Sequence, residues 1–219
     1  CTGKTKILKA LQKAIRNSAY MSGNIYGRLI STKEIAVSEL SRRSDIILLD
    51  NLSNIPYEEH PIITELMDQG ISIIATGNPK FGRFDPYEVI GNQINLPVQT
   101  INKFDLIFPV KDIPDKKNDE KIIDFLFENK QEDIKLDDFT KFREECLKKK
   151  INLSKEAKDL IKDYYVRIRD VANNSDASIY LRSIPLSLKQ AESLSKLAKA
   201  NALLNNKSTA DKKDALEAI

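Results

Sequence analysis

The stretch that decides the fold is SDIILLDNL, residues 44–52. It is an apolar run that ends in an acid. This pattern is typical of a strand buried on both faces of a parallel sheet, with Asp50 at its carboxyl end. The next segment, PIITELMDQG (61–70), predicts a helix closed by a glycine. Apolar runs return in ISIIATGNP (71–79) and KFDLIFPV (103–110), which predict two further buried strands. Strands that alternate with helices favour a parallel α/β sheet.

The segment before this strand begins with CTGKT, residues 1–5. Across residues 6–16 the apolar side chains recur at helical spacing, so Gly3, Lys4 and Thr5 lie at the N-terminus of a predicted helix. A helix N-terminus presents backbone N–H groups to phosphate, and Gly-Lys-Thr is the end of a phosphate-binding loop. The glycine that opens such a loop would precede this segment, so a chance tripeptide is the alternative.

The polar residues at these predicted strand and helix ends are the parts that ATP hydrolysis needs. A lysine and backbone N–H groups hold the phosphates, and a hydroxyl and an acid hold Mg²⁺. Lys4 and Thr5 supply the lysine and the hydroxyl. Asp50 supplies the acid, and Asn78 would polarise the attacking water. The structural alternatives are a strand-end turn residue for Asp50 and an Asx turn before Pro79 for Asn78.

The second half of the sequence predicts helices. Residues 114–150 are charged and predict connecting helices, and residues 151–219 predict three more. Ser154 is expected to cap the first of the three. Ser187 and Gln190 predict a capping box at the second, and the third is expected to begin near Thr209. We therefore expect an α/β core over residues 1–113, connecting helices over residues 114–150 and a small all-helical domain over residues 151–219.

Composition excludes several classes of protein. The net charge of +3 permits nucleic-acid binding without arguing for it. Two cysteines without a CxxC pair indicate neither a disulfide framework nor a zinc site. No apolar run approaches the roughly 20 residues of a membrane span, and the first residues do not form a signal peptide, so we expect an intracellular protein and no membrane partner. His60, the single histidine, is expected in a surface turn, and Cys146 is expected to pack half-buried on a charged helix.

Three segments resemble the minichromosome-maintenance (MCM) family of hexameric replicative DNA helicases. They are ATGNPKFGRFD (75–85), INLPVQTINKFDLIFPVKDIPDKKND (94–119) and IPLSLKQAESLSKLAKANA (184–202). The resemblance implies an AAA+ P-loop NTPase core with a parallel sheet, followed by an all-helical lid. It implies ATP and Mg²⁺ as cofactors, and DNA and other MCM-like subunits of a ring as partners. The implied location is the cytoplasm and nucleoid, or the nucleus.

The resemblance also implies roles for single residues. Gly3, Lys4 and Thr5 match the end of the Walker A loop, and Asp50 matches the Walker B acid that holds Mg²⁺ together with Thr5. Asn78 matches sensor 1. The remaining matches stand where the family carries other residues: the Walker B glutamate, the arginine finger that reaches into a neighbour's site and the sensor-2 arginine are replaced by Asn51, Lys103 and Lys189.

All three replacements predict slower hydrolysis of ATP. Asparagine orients water but accepts no proton from it. Lysine keeps the positive charge of arginine but loses the planar fork that matches phosphate oxygens, and an arginine finger is worth roughly 10³ to 10⁵ in rate. We therefore expect a subunit that binds ATP and hydrolyses it slowly or not at all.

Two hairpins that contact DNA in the family are also expected to be missing. ELMDQG (65–70) runs directly into the strand of residues 71–79, which leaves no room for the hairpin before sensor 1. The segment YMSGNIYGRLISTKEIAVSEL (20–40) is too short for the other. The first hypothesis is therefore an MCM-like ATP-dependent helicase subunit with impaired hydrolysis. The alternative is a degenerate, non-catalytic nucleotide-binding subunit or a remnant of a mobile element. Another AAA+ enzyme, such as a metal-chelatase subunit, fits the matched segments less well.

The start of the chain inside the phosphate loop has two interpretations. One is a truncated gene or a fragment. The other uses Cys1, because inteins often interrupt phosphate loops and the residue after an intein must be Cys, Ser or Thr. On that interpretation the chain is the C-terminal extein half of a split protein, and an intein-like sequence should lie directly upstream in the gene.

Overall fold

The computed structural model describes residues 3–15, 17–23, 44–111, 114–127, 137–173 and 187–219. In chain order the helices and strands are α1 (Lys4–Ala14), β1 (Ser18–Ser22), β2 (Ile46–Asp50), α2 (His60–Asp68), β3 (Ser72–Ala75), α3 (Ile90–Gln93), α4 (Val98–Ile101), α5 (Lys116–Phe127), α6 (Asp137–Leu147), β4 (Asn152–Leu153), α7 (Lys155–Asn173), α8 (Leu188–Leu204), β5 (Thr209–Ala210) and α9 (Lys212–Ala218).

A parallel sheet of order β1-β2-β3 forms the α/β core, as the sequence predicted. Met21 of β1 pairs with Leu49 of the central strand, and Leu49 pairs with Ala75 of β3. β1 was not predicted, because SAYMS has two serines and no apolar run. Its place in the sheet comes from pairing with β2, which no local pattern in these five residues reveals.

The core lies on both faces of β2. On one face its residues pack with those of α2 and the following turn in a cluster of Met21, Ile47, Leu49, Leu52, Ile55, Ile62, Ile63, Leu66 and Ile71. Leu48 points to the other face, because side chains alternate along a strand; it is fully buried, and α1 contacts β1 and β2. The central strand is therefore covered on both sides, as its continuous apolar run predicted.

The third predicted strand, residues 103–110, is wrong. This segment contains no strand. Phe104 packs partly buried against the core, but Leu106, Ile107, Phe108 and Val110 are exposed, Phe108 by 75%. An apolar run does not make a strand without a neighbouring strand that takes up its backbone hydrogen bonds. None of the described strands pairs with this segment.

The prediction of a surface turn for His60 is also wrong. His60 is the first residue of α2 and is only 2% exposed. Its Nδ1 lies 3.2 Å from the hydroxyl oxygen of Thr100 in α4, and both side chains are buried. The Tyr57 ring also packs against the imidazole, with ring centroids 5.9 Å apart. The contact with Thr100, 40 positions away, is one that the local sequence does not reveal.

The C-terminal helices form a second core that is rich in alanine. α7, α8 and α9 pack around a cluster of Ile151, Ala157, Ile161, Ala198, Ala202, Ala210 and Ala215. The predicted cap of Ser154 and the capping box of Ser187 and Gln190 are confirmed. In addition to the helices, β4 and β5 form a parallel pair. Because Thr209 and Ala210 lie in that pair, the last helix begins at Lys212, after a cap by Asp211.

Connections between these elements bear on the expected hairpins. α2 ends at Asp68 and β3 begins at Ser72, so the predicted direct connection between this helix and this strand is confirmed. Residues 24–40 of the segment expected to be too short for the other hairpin lie outside the described residues. Cys146 is half-buried on α6, as expected. None of the helices that the structure describes is long and apolar enough to cross a membrane.

Candidate nucleotide-binding site

The site lies where α1 begins and β2 ends. Gly3 precedes α1 in the left-handed conformation, φ 73°, and within the part of the chain that the structure describes no side chain caps this helix. Such an N-terminus carries partial positive charge and presents N–H donors to an anion. The Thr5 hydroxyl of the first turn donates a 2.8 Å hydrogen bond to Oδ2 of Asp50, the last residue of β2. The fold thus joins two predicted residues that lie 45 positions apart.

Asp50 is the centre of a hydroxyl network. Its Oδ2 also accepts from the Tyr20 hydroxyl at 2.8 Å, and its Oδ1 accepts from the Thr76 hydroxyl at 2.5 Å. Burial alone raises the pKa of this carboxyl. The hydrogen bonds from Thr76, Thr5 and Tyr20 outweigh burial, so the pKa lies below its ordinary value. The carboxylate therefore stays ionised at neutral pH, as a cation-binding acid must.

Asn51 and Asn78 form the polar edge of the same site. The amide nitrogen Nδ2 of Asn78 lies 3.4 Å from Oδ1 of Asn51. The Ser53 hydroxyl accepts from the backbone N–H of Asn78 at 3.0 Å and fixes the loop after β3. Asn51 has φ 59° and ψ 51°, the left-handed conformation that asparagine tolerates better than most residues. Both predicted water-orienting residues are therefore next to the acid.

Lys103 and Lys189 are not part of this cluster. The Lys103 ammonium forms an ion pair with Asp68 at the end of α2. Lys189, in the first turn of α8, pairs with Asp105 at 3.5 Å and with Glu192 at 3.6 Å. Within this chain each lysine is paired with a carboxylate away from Asp50.

Sequence reasoning missed four residues that shape the site: Tyr20, Gly23, Ser53 and Thr76. Thr76 directly follows β3 as Asp50 ends β2, so its position at a strand end was a usable signal. Tyr20 lies on the strand that was not predicted. Gly23 is buried against the backbone of Asn51, and a Cβ at Gly23 would lie 2.2 Å from the Asn51 carbonyl oxygen.

The donor set fits Mg²⁺ better than a transition metal. No group of three or more His, Cys, Asp or Glu side chains within the described ranges could hold a metal ion. Mg²⁺ prefers oxygen ligands and usually takes one or two protein groups together with substrate phosphates and waters. Thr5 and Asp50 supply one hydroxyl and one carboxylate beside a helix N-terminus, which matches that requirement.

Two family models match the chain. The MCM P-loop domain matches residues 45–130, a range that includes Asp50, Asn51, Asn78 and Lys103. The MCM AAA-lid domain matches residues 137–219, which include Lys189. Gly3, Lys4 and Thr5 precede the matched ranges.

Curated relatives agree with these models. An uncharacterized MCM-type protein of Methanocaldococcus jannaschii is 30% identical over 84% of this chain and 27% of its own length. The minichromosome maintenance protein MCM of Saccharolobus solfataricus is 28% identical over 80% of this chain and 28% of its own length. The DNA replication licensing factor MCM5 of Arabidopsis thaliana is 24% identical over 97% of this chain and 35% of its own length. This chain thus spans about a third or less of these relatives.

The parallel sheet followed by helices agrees with a P-loop domain and its lid. The two family models together cover most of the sequence, and the relatives extend the similarity to the N-terminal segment. On these grounds the chain belongs to the MCM family.

Proposed function

We propose that this chain is the ATP-binding module of an MCM-like ring subunit that hydrolyses ATP slowly or not at all. The observation that carries the proposal is the contact between Thr5 and Asp50 at the uncapped N-terminus of α1. Gly3, Lys4 and Thr5 would hold the phosphates. Thr5 and Asp50 would hold Mg²⁺, which would neutralise negative charge on the phosphates.

The site's own side chains explain the expected slow hydrolysis. Asn78 and Asn51 lie side by side, so their amides can orient a water molecule at the γ-phosphate end of the site. Neither amide can take the proton that the water must lose. Asp50 is the nearby base, but its two oxygens already accept three hydroxyl groups and its pKa is lowered, which makes it a poor proton acceptor.

Family membership also supports wider roles for the complete protein. The relatives are named for minichromosome maintenance and for the licensing of DNA replication. We propose DNA and neighbouring MCM-like subunits as partners, with Lys103 reaching the neighbour's nucleotide. A non-catalytic structural subunit is the second candidate, and it is favoured by Asn51 and by the direct connection between α2 and β3.

The test uses the protein with a complete phosphate loop ahead of Lys4. Binding of ATP is measured by calorimetry with and without Mg²⁺, and hydrolysis by release of phosphate. We expect Mg²⁺-dependent binding, its loss in Asp50→Asn and little turnover. Binding that is absent, or equally strong in Asp50→Asn, would contradict the proposed site.

Turnover is then examined at Asn51. Glutamate restores a proton acceptor, but its backbone must adopt the left-handed conformation, at a cost of about 1 kcal/mol. Asn51→Gln has the same length and the same backbone cost without a base, so it is the matched control. Turnover in Asn51→Glu but not in Asn51→Gln supports the proposal that hydrolysis is slow because residue 51 cannot accept a proton. Rapid turnover by the unmodified protein would instead identify a working motor.

A further inference from the structure

Asp105 connects the core to the lid. It lies in the segment after α4, and its Oδ1 accepts a 2.6 Å hydrogen bond from the hydroxyl of Ser193 in α8. The ammonium groups of Lys189 and Lys196 lie 3.5 Å and 3.4 Å from its carboxylate oxygens. These three lid residues are spaced four and three positions apart, so they share one face of the helix. A single core carboxylate therefore contacts three side chains on one face of α8.

Glu192 closes this network within α8. It lies 3.6 Å from the Lys189 ammonium and 3.4 Å from the Lys196 ammonium. Each of the two carboxylates, Asp105 and Glu192, thus faces both lysines. If Lys189 moves away, Asp105 keeps the Ser193 hydroxyl and the Lys196 ammonium, and Glu192 keeps Lys196. Release of Lys189 therefore leaves neither carboxylate without a partner.

The charge on Asp105 is secure at neutral pH. Its partial burial raises the pKa of the carboxyl. The Ser193 hydrogen bond and the two ammonium groups together outweigh burial, so the pKa lies below its ordinary value. Lys189 has only a quarter of its side chain exposed and is held between two anions. Two carboxylates therefore compensate the charge of its ammonium.

We propose that Asp105 is a positioning residue that holds the Lys189 ammonium on the core and yields it to the phosphates of a bound nucleotide, while Ser193 and Lys196 keep the lid docked. The transfer to nucleotide rests on the proposed function; the holding of Lys189 does not. A triphosphate carries more negative charge than one carboxylate and therefore attracts the Lys189 ammonium more strongly. After Lys189 leaves, Ser193 and Lys196 still stabilise the charge of the Asp105 carboxylate. The lid would thereby respond to nucleotide without leaving the core.

The holding step is tested without nucleotide. An amine-specific acylating reagent reacts with free, unprotonated lysine, and peptide mass spectrometry resolves the labelling rates of Lys189, Lys196 and Lys103. We expect Asp105→Asn to raise the Lys189 rate several-fold. Asp68→Asn is the matched control and should raise the rate at Lys103 while leaving Lys189 unchanged. An unchanged Lys189 rate in Asp105→Asn would overturn the proposal.

A loosened lid must be distinguished from a lost charge. Ser193→Ala removes the hydrogen bond to Asp105 but keeps both ammonium pairs. We expect it to leave the Lys189 labelling rate near that of the unmodified protein. If Ser193→Ala accelerates Lys189 labelling as much as Asp105→Asn does, simple undocking explains the result and the positioning role is refuted.

Transfer to nucleotide is tested by a double-mutant cycle on Mg-ATP affinity. Asp105→Asn removes the competing anion, and we expect it to tighten binding about two- to fivefold, the size of a partly exposed ion pair. In the background of Lys189→Met the same change should have no effect. An equal gain in both backgrounds, or no gain in either, would overturn the transfer. Absence of Mg-ATP binding in every variant would refute the proposed function and the transfer together, and the labelling experiment would still decide the holding step.

Discussion

The Nδ2 atom of Asn78 lies 3.4 Å from Oδ1 of Asn51, so the ends of β3 and β2 are joined by two side-chain amides. The backbone of Asn51 is left-handed, and its side-chain oxygen accepts from Asn78. Asn51→Glu therefore changes the backbone preference and this hydrogen bond at once. The geometry at this end of the sheet is therefore adapted to asparagine.

Gly23 is expected to be the glycine of the core least tolerant of a side chain. In Gly23→Ala the new methyl group would lie 2.2 Å from the Asn51 carbonyl oxygen, so backbone must move. We expect a loss of about 1–3 kcal/mol in the free energy of unfolding, measured by urea denaturation, together with weaker ATP binding. Gly77→Ala is the matched control, because its methyl group would meet Ser53 at an ordinary 3.9 Å. Equal stability of the two variants would contradict the close packing.

Tyr20 and Thr76 are expected to orient Asp50 toward the cation. Tyr20→Phe and Thr76→Val each remove one hydroxyl donor to the carboxylate. Groups that orient a metal-binding acid typically contribute about 10-fold or more to metal affinity, so the Mg²⁺ concentration for half-maximal ATP binding should rise by that order. Tyr57→Phe is the control, since the Tyr57 hydroxyl donates to Asn95 in a solvent-exposed hydrogen bond away from Asp50. A Mg²⁺ dependence unchanged in both site variants would remove them from the site.

His60 is expected to make stability depend on pH below neutrality. Burial lowers the pKa of its imidazole in the folded chain below 6.5. As the pH falls below 6.5 the unfolded chain takes up a proton that the folded chain resists, so the free energy of unfolding decreases. Urea denaturation at pH 7.5 and pH 5.5 measures the loss. His60 is the single histidine of the chain, so the difference should shrink in His60→Phe; a loss that persists in full would exclude His60 as its source.

Asp211 is expected to stabilise the last helix through its charge as well as its cap. The hydrogen bond from Lys207 and the backbone donors of α9 lower the pKa of this carboxyl from 3.8 to about 2. Asparagine is an equally good N-cap, so Asp211→Asn removes the charge and keeps the cap.

The charge contribution of Asp211 is present above about pH 4 and disappears as the pH falls toward 2. The difference in melting temperature between the unmodified protein and Asp211→Asn should therefore be largest at pH 5 and fade by pH 2. Asp159→Asn on the exposed side of α7 is the control variant. A difference that stays constant over this range would show that the charge of Asp211 contributes nothing.

Much of the fold followed from local patterns. The apolar run before Asp50, the helical spacing after Thr5 and the caps at Ser154 and Ser187 all correspond to elements of the structure. Such signals are local because a strand buried on both faces, a helix face and a capped helix start each need particular residues within a few positions. The candidate site could be located for the same reason, since parallel strands carry their carboxyl ends to one edge of the sheet.

Tertiary structure alone decided the partners. The hydroxyls of Tyr20 and Thr76 reach Asp50 only because the strands pair in one register. The His60 imidazole contacts the hydroxyl of Thr100, 40 positions away. Lys189 of the lid forms an ion pair with Asp105 of the core. The apolar run of residues 103–110 shows the converse, because a strand needs a neighbour for its backbone hydrogen bonds. Local sequence patterns thus predicted most of the elements and the candidate site residues. Long-range packing determined the place of β1, the lack of a strand over residues 103–110 and the contacts of each side chain.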